Sequence, residues 1–316
     1  MLRLRSLLTP LDFVSVSFLS FLSLLTVIFA HRVDHWAEIV SINLVVSGLI
    51  IALARKAETA KTRMWIGLHR WYCYPIVLFV FKELYLLVHP IHPIDYDQLF
   101  ISIDKWIFGV NPTEWLAHYS HPIITEILQI AYFSYYLLFI ILGVEIYRRY
   151  PIERFDHAAF MIVYGFYLSY LGYFSLPAVG PRFVLHDFSQ LNHDLPGIAL
   201  TETLRSIINA GESIPRNLPN PVEFVQRDVF PSGHTQLTLI VLTLAFREKL
   251  KSKWLLLGLG SLLIVGTVYL RYHYFIDVVA GVFSCWLTFW TGNRIEAWWK
   301  KGRSSRSMLD THAKIE

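Results

Sequence analysis

Runs of about 20 apolar residues recur from one end of this chain to the other, each long enough to cross the roughly 30 Å hydrocarbon core of a bilayer as a helix. Eight spans are read, at 11–30, 36–54, 71–88, 122–146, 157–176, 233–248, 254–270 and 275–293. Inside hydrocarbon every backbone polar group needs an internal partner, so such runs are expected to be helical. The expected fold class is all-α, a polytopic membrane helix bundle. Composition agrees, because 54% of the 316 residues are hydrophobic and 16% charged, against roughly 45–50% and about 25% in soluble domains. Span 233–248 is short and needs help from neighbours. Arg3 and Arg5 precede the first span as they would in a signal peptide, but the apolar core is too long and no small-residue cleavage site follows, so it reads as an anchor.

Basic residues near span ends stay on the cytoplasmic side. With the N-terminus inside, eight crossings place the N-terminus, 55–70, 147–156, 247–253 and the C-terminal segment from Arg294 together, and these hold 20 of the 28 Lys and Arg. Both termini are therefore expected in the cytoplasm. The same asymmetry accounts for the formal net charge of +4, leaving nothing that asks for nucleic acid. Three parts are expected: 1–121 with N-terminal spans and an outer interfacial helix, 122–293 as a transmembrane core that holds the motifs taken up below, and 294–316 as a cytoplasmic basic tail, expected to be disordered after residue 300.

Two outer segments are longer than a connection needs. In 93–121, Leu99, Ile103, Trp106, Ile107 and Val110 recur at helical spacing while Asp95, Asp97, Asp104 and Lys105 forbid a crossing, which predicts an amphipathic helix lying at the interface. In 177–232, Leu200, Leu204, Ile207 and Ile208 mark another. Either is a lid over a site or a structural helix in a solvated loop. Cys73 and Cys285 fall inside spans and read as free apolar fillers. Ten of the thirteen histidines lie in or beside outer segments, where an amphipathic ring suits the interface on its own. His89 and His92 in "HPIHP" lack the carboxylates or cysteines that would complete a metal set, so no metal and no cofactor is expected.

Polar residues at the start of the sixth span need a reason. In "FPSGHTQ", residues 230–236, Ser232 and Gly233 stand where a helix start offers unpaired N–H groups and a partial positive charge to an anion. His234 in the first turn could protonate a leaving group. An ordinary N-cap by Ser232 explains the same letters. A second stretch, "YLRYHYFIDVVAG" at 269–281, opens the eighth span on the same outer face, with His273 and Asp277 four apart on one helix side. The carboxylate can hold one ring nitrogen and leave the other as a base or nucleophile. A third, "PAVGPRF" at 177–183, supplies Arg182, a forked cation suited to phosphate oxygens. Three spans thus deliver Arg, Ser-Gly-His and His-x-x-x-Asp to one surface.

Residues 231–234 followed by His273-x-x-x-Asp277 resemble the type 2 phosphatidic acid phosphatase superfamily of membrane lipid phosphatases and phosphotransferases, over roughly 160–285. The resemblance implies His273 as a nucleophile that forms a phosphohistidine, Asp277 as its orienter, His234 as general acid, and Ser232 with Gly233 on phosphate oxygens. It also implies a membrane lipid with a phosphate headgroup as substrate and the bilayer as partner. Three departures stand out: Ser175 occupies the position of the family's usual Lys, Arg182 is preceded rather than followed by proline, and Thr267 occupies the position of the usual third-motif Arg. Arg271 could serve instead only if the chain leaves the helix between about 271 and 274, because a continuous helix turns Arg271 and His273 to nearly opposite sides. "TVYLRYHYFIDVVAG" is similar to the branch containing inositol phosphorylceramide synthase, which transfers a headgroup between lipids, so water and a lipid hydroxyl are both open as acceptors. A non-catalytic protein that binds or moves lipid phosphates would use the same anion site. Lys82 and Glu83, charged inside the third span, are further candidates, although Lys82 can snorkel outward.

Overall fold

Thr9 and Asp12 start the first long helix with a capping box. The Thr9 hydroxyl accepts from the Asp12 N–H, and the Asp12 carboxylate accepts from the Thr9 N–H, so two otherwise unpaired donors are satisfied. The computed structural model describes residues 7–214 and 221–312, with side chains described as far as residue 301. Every regular element among the described residues is helical.

In chain order the helices are α1 (Pro10–Ile28), α2 (Trp36–Ala60), α3 (Arg63–Trp71), α4 (Cys73–Ile91), α5 (Asp97–Phe108) and α6 (Pro112–Ala117). Next come α7 (Pro122–Phe133), α8 (Tyr135–Arg149), α9 (Ile152–Ser175), and the short α10 (Pro181–Val184) and α11 (Leu191–Asp194). The last four are α12 (Thr201–Gly211), α13 (Gly233–Arg247), α14 (Lys253–Tyr269) and α15 (Phe275–His312).

Five helical stretches are long and apolar enough to cross a bilayer: Pro10–Ile28, Trp36–Ala60, Arg63–Ile91, Ile152–Ser175 and Phe275–Lys301. The expected single span at 122–146 is a pair instead, α7 and α8, bent by 49°. Ser134 stands at the break, its hydroxyl donating to the Ala131 carbonyl at 2.7 Å, the kind of local bond that competes with the helix ladder. Counted as one, the pair gives a sixth crossing. Helices α13 and α14 have 15 and 17 residues, about 22 and 25 Å at helical rise, so length alone does not bring the count to eight. The tail expected to be disordered after residue 300 continues α15 as far as His312. Residues 313–316 lie outside the described residues.

The chain divides into two units, one of residues 1–87, 156–167 and 286–316, the other of 88–155 and 168–285. In the first, the Asp12 carboxylate gathers His69 and Tyr72, with the Tyr72 hydroxyl donating at 2.7 Å. Tyr167 stacks on Phe18 at 4.4 Å and donates to Ser15. Glu83 accepts from the Asn43 amide at 2.6 Å.

The second unit packs α14 against α7 and α13. Leu128 and Tyr132 of α7 join Tyr269, Leu270 and Tyr272 in one buried cluster, with Ile208 of α12 against it. Helix α15 lies on the start of α13 so closely that a Cβ at Gly281 would sit 2.7 Å from the Ser232 carbonyl oxygen and 2.9 Å from the Thr235 Cβ. Gly281→Val is therefore expected to cost about 1–3 kcal/mol or more through overpacking. A thermal melt in detergent checks this, and an unchanged midpoint would contradict the close packing.

Helix α5 exists as expected, but two of its acidic residues do not meet water. Asp97 and Asp104 are buried, whereas Leu99, Trp106, Ile107 and Val110 are exposed. The carboxylates face inward because they have backbone donors to satisfy.

Candidate active site

Helix α13 begins with Ser232 as its N-cap, the side chain accepting from the Thr235 N–H at 3.2 Å. The capping explanation of Ser232 is thus realised, and the first-turn N–H groups beyond it still point out of the helix start. The Ser232 N–H donates to the Asp277 carbonyl at 3.0 Å, which fastens the start of α13 to the first turn of α15. Gly233 has a packing reason of its own: a Cβ there would lie 2.7 Å from the Tyr173 hydroxyl and 3.2 Å from the Ser169 hydroxyl oxygen. One residue on, the His234 ring is held between aromatic walls, 4.5 Å from Tyr132 and 4.3 Å from Tyr135.

Between α14 and α15 the chain leaves the helix, and Arg271 takes a left-handed φ of 67°. The N–H groups of Tyr272 and His273 both reach the Thr267 carbonyl at 2.9 Å. Thr267 therefore shapes the turn through its backbone, and the break that Arg271 and His273 need is present. His273 Nδ1 lies 3.4 Å from Asp277 Oδ2, an ion-pair distance without hydrogen-bond alignment, while the Tyr274 N–H fixes that same oxygen at 2.8 Å. His273 Nε2 faces His234 Nδ1 at 3.5 Å. Burial, then the neighbouring His234, holds the His273 ring well below its ordinary proton affinity. Its neutral form, with a lone pair on one nitrogen, is the favoured one.

Arg182 reaches this site from the segment after α9. Gly180 has a φ of 99° and its missing Cβ would stand 3.0 Å from the Tyr272 carbonyl oxygen, so glycine is required twice over. The Arg182 N–H then donates to the Arg271 carbonyl at 3.0 Å. Its guanidinium lies between the rings of Tyr272 and Phe183, at 4.6 and 4.7 Å, and Tyr272 in turn stacks on Tyr132 at 4.1 Å. Glu212 accepts from Arg182 Nη2, and Asn209 Oδ1 lies 3.4 Å from Nη1. Arg271 Nη1 donates to Asp194 at 2.8 Å, and this bond holds the Asp194 carboxyl below its usual range. Burial and the Arg271 charge also push His186 down to about 4.

The structure therefore brings His234, His273, Asp277, Ser232, Gly233, Arg182 and Arg271 together within one unit. Lys82 and Glu83 belong to the other, where Glu83 pairs with Asn43. Ser175 ends α9 and donates to the Leu171 carbonyl at 2.9 Å. Among the described residues no group of three or more His, Cys, Asp or Glu is arranged to hold a metal ion.

The motifs alone missed the carboxylates that build this arrangement. Asp97 accepts from the N–H groups of Val179 (3.1 Å) and Gly180 (2.8 Å) and from the Tyr274 hydroxyl at 2.7 Å. Asp104 accepts from Phe275 and Ile276 N–H at 2.7 and 2.9 Å, capping α15 from another helix. Their seven-residue separation, two helical turns on one face, was the available signal. Glu126 likewise gathers the N–H groups of residues 198–201 at the start of α12.

Apolar helices long enough to cross a bilayer, in one chain with paired histidines, a carboxylate and two buried arginines, define an all-α membrane protein with a buried polar cluster. A model of the PAP2 superfamily matches residues 98–291, and the chain belongs to that superfamily. A curated relative, a "PA-phosphatase related-family protein" of Dictyostelium discoideum, is 29% identical over 207 residues, 58% of this chain and 34% of the relative. The chain thus spans about a third of that relative's length. No solved structure matches this chain.

Proposed function

We propose that the protein is an integral membrane lipid phosphatase or phosphotransferase that works through a phosphohistidine. The observation that carries this reading is the facing of His234 Nδ1 and His273 Nε2 at 3.5 Å, in a unit that also holds the buried Arg182 and Arg271. Superfamily membership supports the same chemistry. In the first step His273 Nε2 attacks phosphorus, the bond to the leaving oxygen breaks, and His234 gives that oxygen its proton. Asp277 steadies Nδ1 of the resulting phosphohistidine. In the second step an acceptor hydroxyl gives its proton to His234 and its oxygen to phosphorus, and the P–N bond breaks. Arg182, Arg271 and the first-turn N–H groups after Ser232 and at Gly233 meet the charge on the equatorial oxygens, which is where most of the barrier lowering lies in phosphoryl transfer.

The site sits on the extracytoplasmic or lumenal side in this reading. Eight crossings, counting α13 and α14 as two short ones, put both termini and 20 of the 28 basic residues in the cytoplasm. Headgroup transfer to a lipid acceptor is the second form of the reaction. It is favoured by the rings of Tyr132, Tyr135 and Tyr272 around the histidines and by a His273 only 4% exposed, which limit access of bulk water.

The test uses purified protein and lipids labelled in the phosphate: phosphatidate, a polyprenyl diphosphate, a lipid A phosphate and a phosphoinositol donor, with and without diacylglycerol or ceramide. Label released to water shows hydrolysis, and label moved to lipid shows transfer. An acid-labile label on the protein during turnover is expected either way. No release, transfer or protein label across the panel would leave a non-catalytic lipid-phosphate binder and end the enzyme reading.

A further inference from the structure

Arg182 and Arg271 are each held by a carboxylate at one terminal nitrogen, Nη2 in Arg182 and Nη1 in Arg271. Each is buried, each gives a terminal Nη to a carboxylate, and each has an Nε–H with no acceptor among the described residues. The carboxylates, Glu212 and Asp194, lie in the segment between α10 and α13, outside the short motifs at 177–183, 230–236 and 269–281. An unpaired Nε–H on a buried cation is costly unless something fills the place in front of it. In a guanidinium, Nε and the adjacent Nη form one of the two edges that match a phosphate in bidentate fashion. The carboxylate contact at Nη thus fixes each arginine while leaving a donor for an anion.

Neither carboxylate is placed by its own helix. Glu212 follows the last residue of α12, where a negative charge opposes the helix dipole, so the Arg182 contact offsets an unfavourable position. Asp194 ends a turn that Arg205, itself 3% exposed, staples through the carbonyls of Leu191 and Leu195 at 3.3 and 3.2 Å and through Asn192 Oδ1 at 2.5 Å. The Ser120 hydroxyl adds a bond to the Asp194 carbonyl at 2.7 Å. That much fixation suits a residue whose task is to hold something else still. Arg271 needs such a holder, since it comes from a left-handed turn position rather than from the helix that usually supplies the motif arginine.

We infer that Asp194 and Glu212 are positioning residues that hold Arg271 and Arg182 by their terminal nitrogens, with the Nε–H donors left for the phosphate of the substrate. This rests on the proposed phosphate site. It opposes a different role for the same contacts, in which the carboxylates plug the arginines and the phosphate must expel them.

The two roles predict opposite signs. With full-length protein in detergent, binding of inorganic phosphate is read from the concentration dependence of its thermal stabilisation for wild type, Glu212→Gln and Asp194→Asn. Positioning predicts roughly tenfold weaker phosphate binding in each variant, the scale of a lost charged hydrogen bond, read against that variant's own phosphate-free melting temperature, which falls as a buried guanidinium loses its counter-charge. Glu212→Asp and Asp194→Glu should regain part of the affinity. Asn209→Ala, a milder change beside Arg182, should weaken binding by a smaller factor and serves if Glu212→Gln does not fold. Unchanged affinity in folded variants overturns the proposal in favour of a purely structural pair, and tighter binding overturns it in favour of a plug. If the wild type binds no phosphate, the phosphate site itself is lost and this proposal with it, a result separable from the other two.

Discussion

His273→Ala is expected to lower kcat/KM on the preferred lipid phosphate by about 10⁴-fold or more, the scale seen when a covalent nucleophile is removed from a preorganised site. The loss should fall on the chemical step and abolish any acid-labile protein label. His234→Ala should cost less, about 10²–10⁴-fold, the range for a general acid. The deficit should shrink on a phosphate ester with a good leaving group, which needs no proton in the first step. The pH profile separates the roles further. In the proposed mechanism His273 attacks as a neutral ring, and burial with the His234 neighbour lowers its proton affinity. The acid limb of kcat/KM should therefore lie below the ordinary histidine value near 6.5, with activity lost as pH falls through it. Wild type and His273→Ala turning over at the same rate would remove the phosphohistidine mechanism.

Asp97→Ala is expected to destabilise the protein by about 3–5 kcal/mol, although Asp97 touches none of the reacting groups. The carboxylate is 3% exposed and accepts from Val179, Gly180 and Tyr274. Its removal strands three buried donors at about 1–3 kcal/mol each, less than additively. Against a total stability of roughly 5–15 kcal/mol, such a loss should appear as a large fall in melting temperature. Activity should fall further than folding alone explains, because Gly180 stands two residues before Arg182 and Tyr274 directly after His273. A variant with wild-type melting temperature and kcat/KM would show that Asp97 does not hold these segments.

The helical class and the converging residues were legible because their signals are local. Apolar runs announce helices, and His273 with Asp277 announces itself by spacing. The break at residues 270–274 was legible only as a condition on Arg271, since nothing in "YLRYHYF" forbids a helix; the Thr267 carbonyl closes the turn through contacts that sequence does not display. The bend at Ser134 left equally little trace in a run of apolar letters. Asp97 and Asp104 are legible in the sequence only as charges that forbid a crossing, because an acidic residue beside apolar ones normally faces water. Their true partners are backbone N–H groups some 80 to 170 residues away, and pattern within one helix cannot report those. Glu212 and Asp194 were invisible for the same reason. Ser232, by contrast, carried both meanings from the start, and its capping bond leaves the helix start available to an anion.

Because Asp104 terminates the backbone of α15 from α5, the smallest excisable piece of this chain is not the one its motifs mark out. A fragment cut at Pro122 would retain His234, His273, Asp277 and both arginines, yet lose the acceptors that seat Phe275, Ile276, Val179 and Gly180. Transplanting the chemistry into another scaffold would mean carrying residues 97–108 along with it.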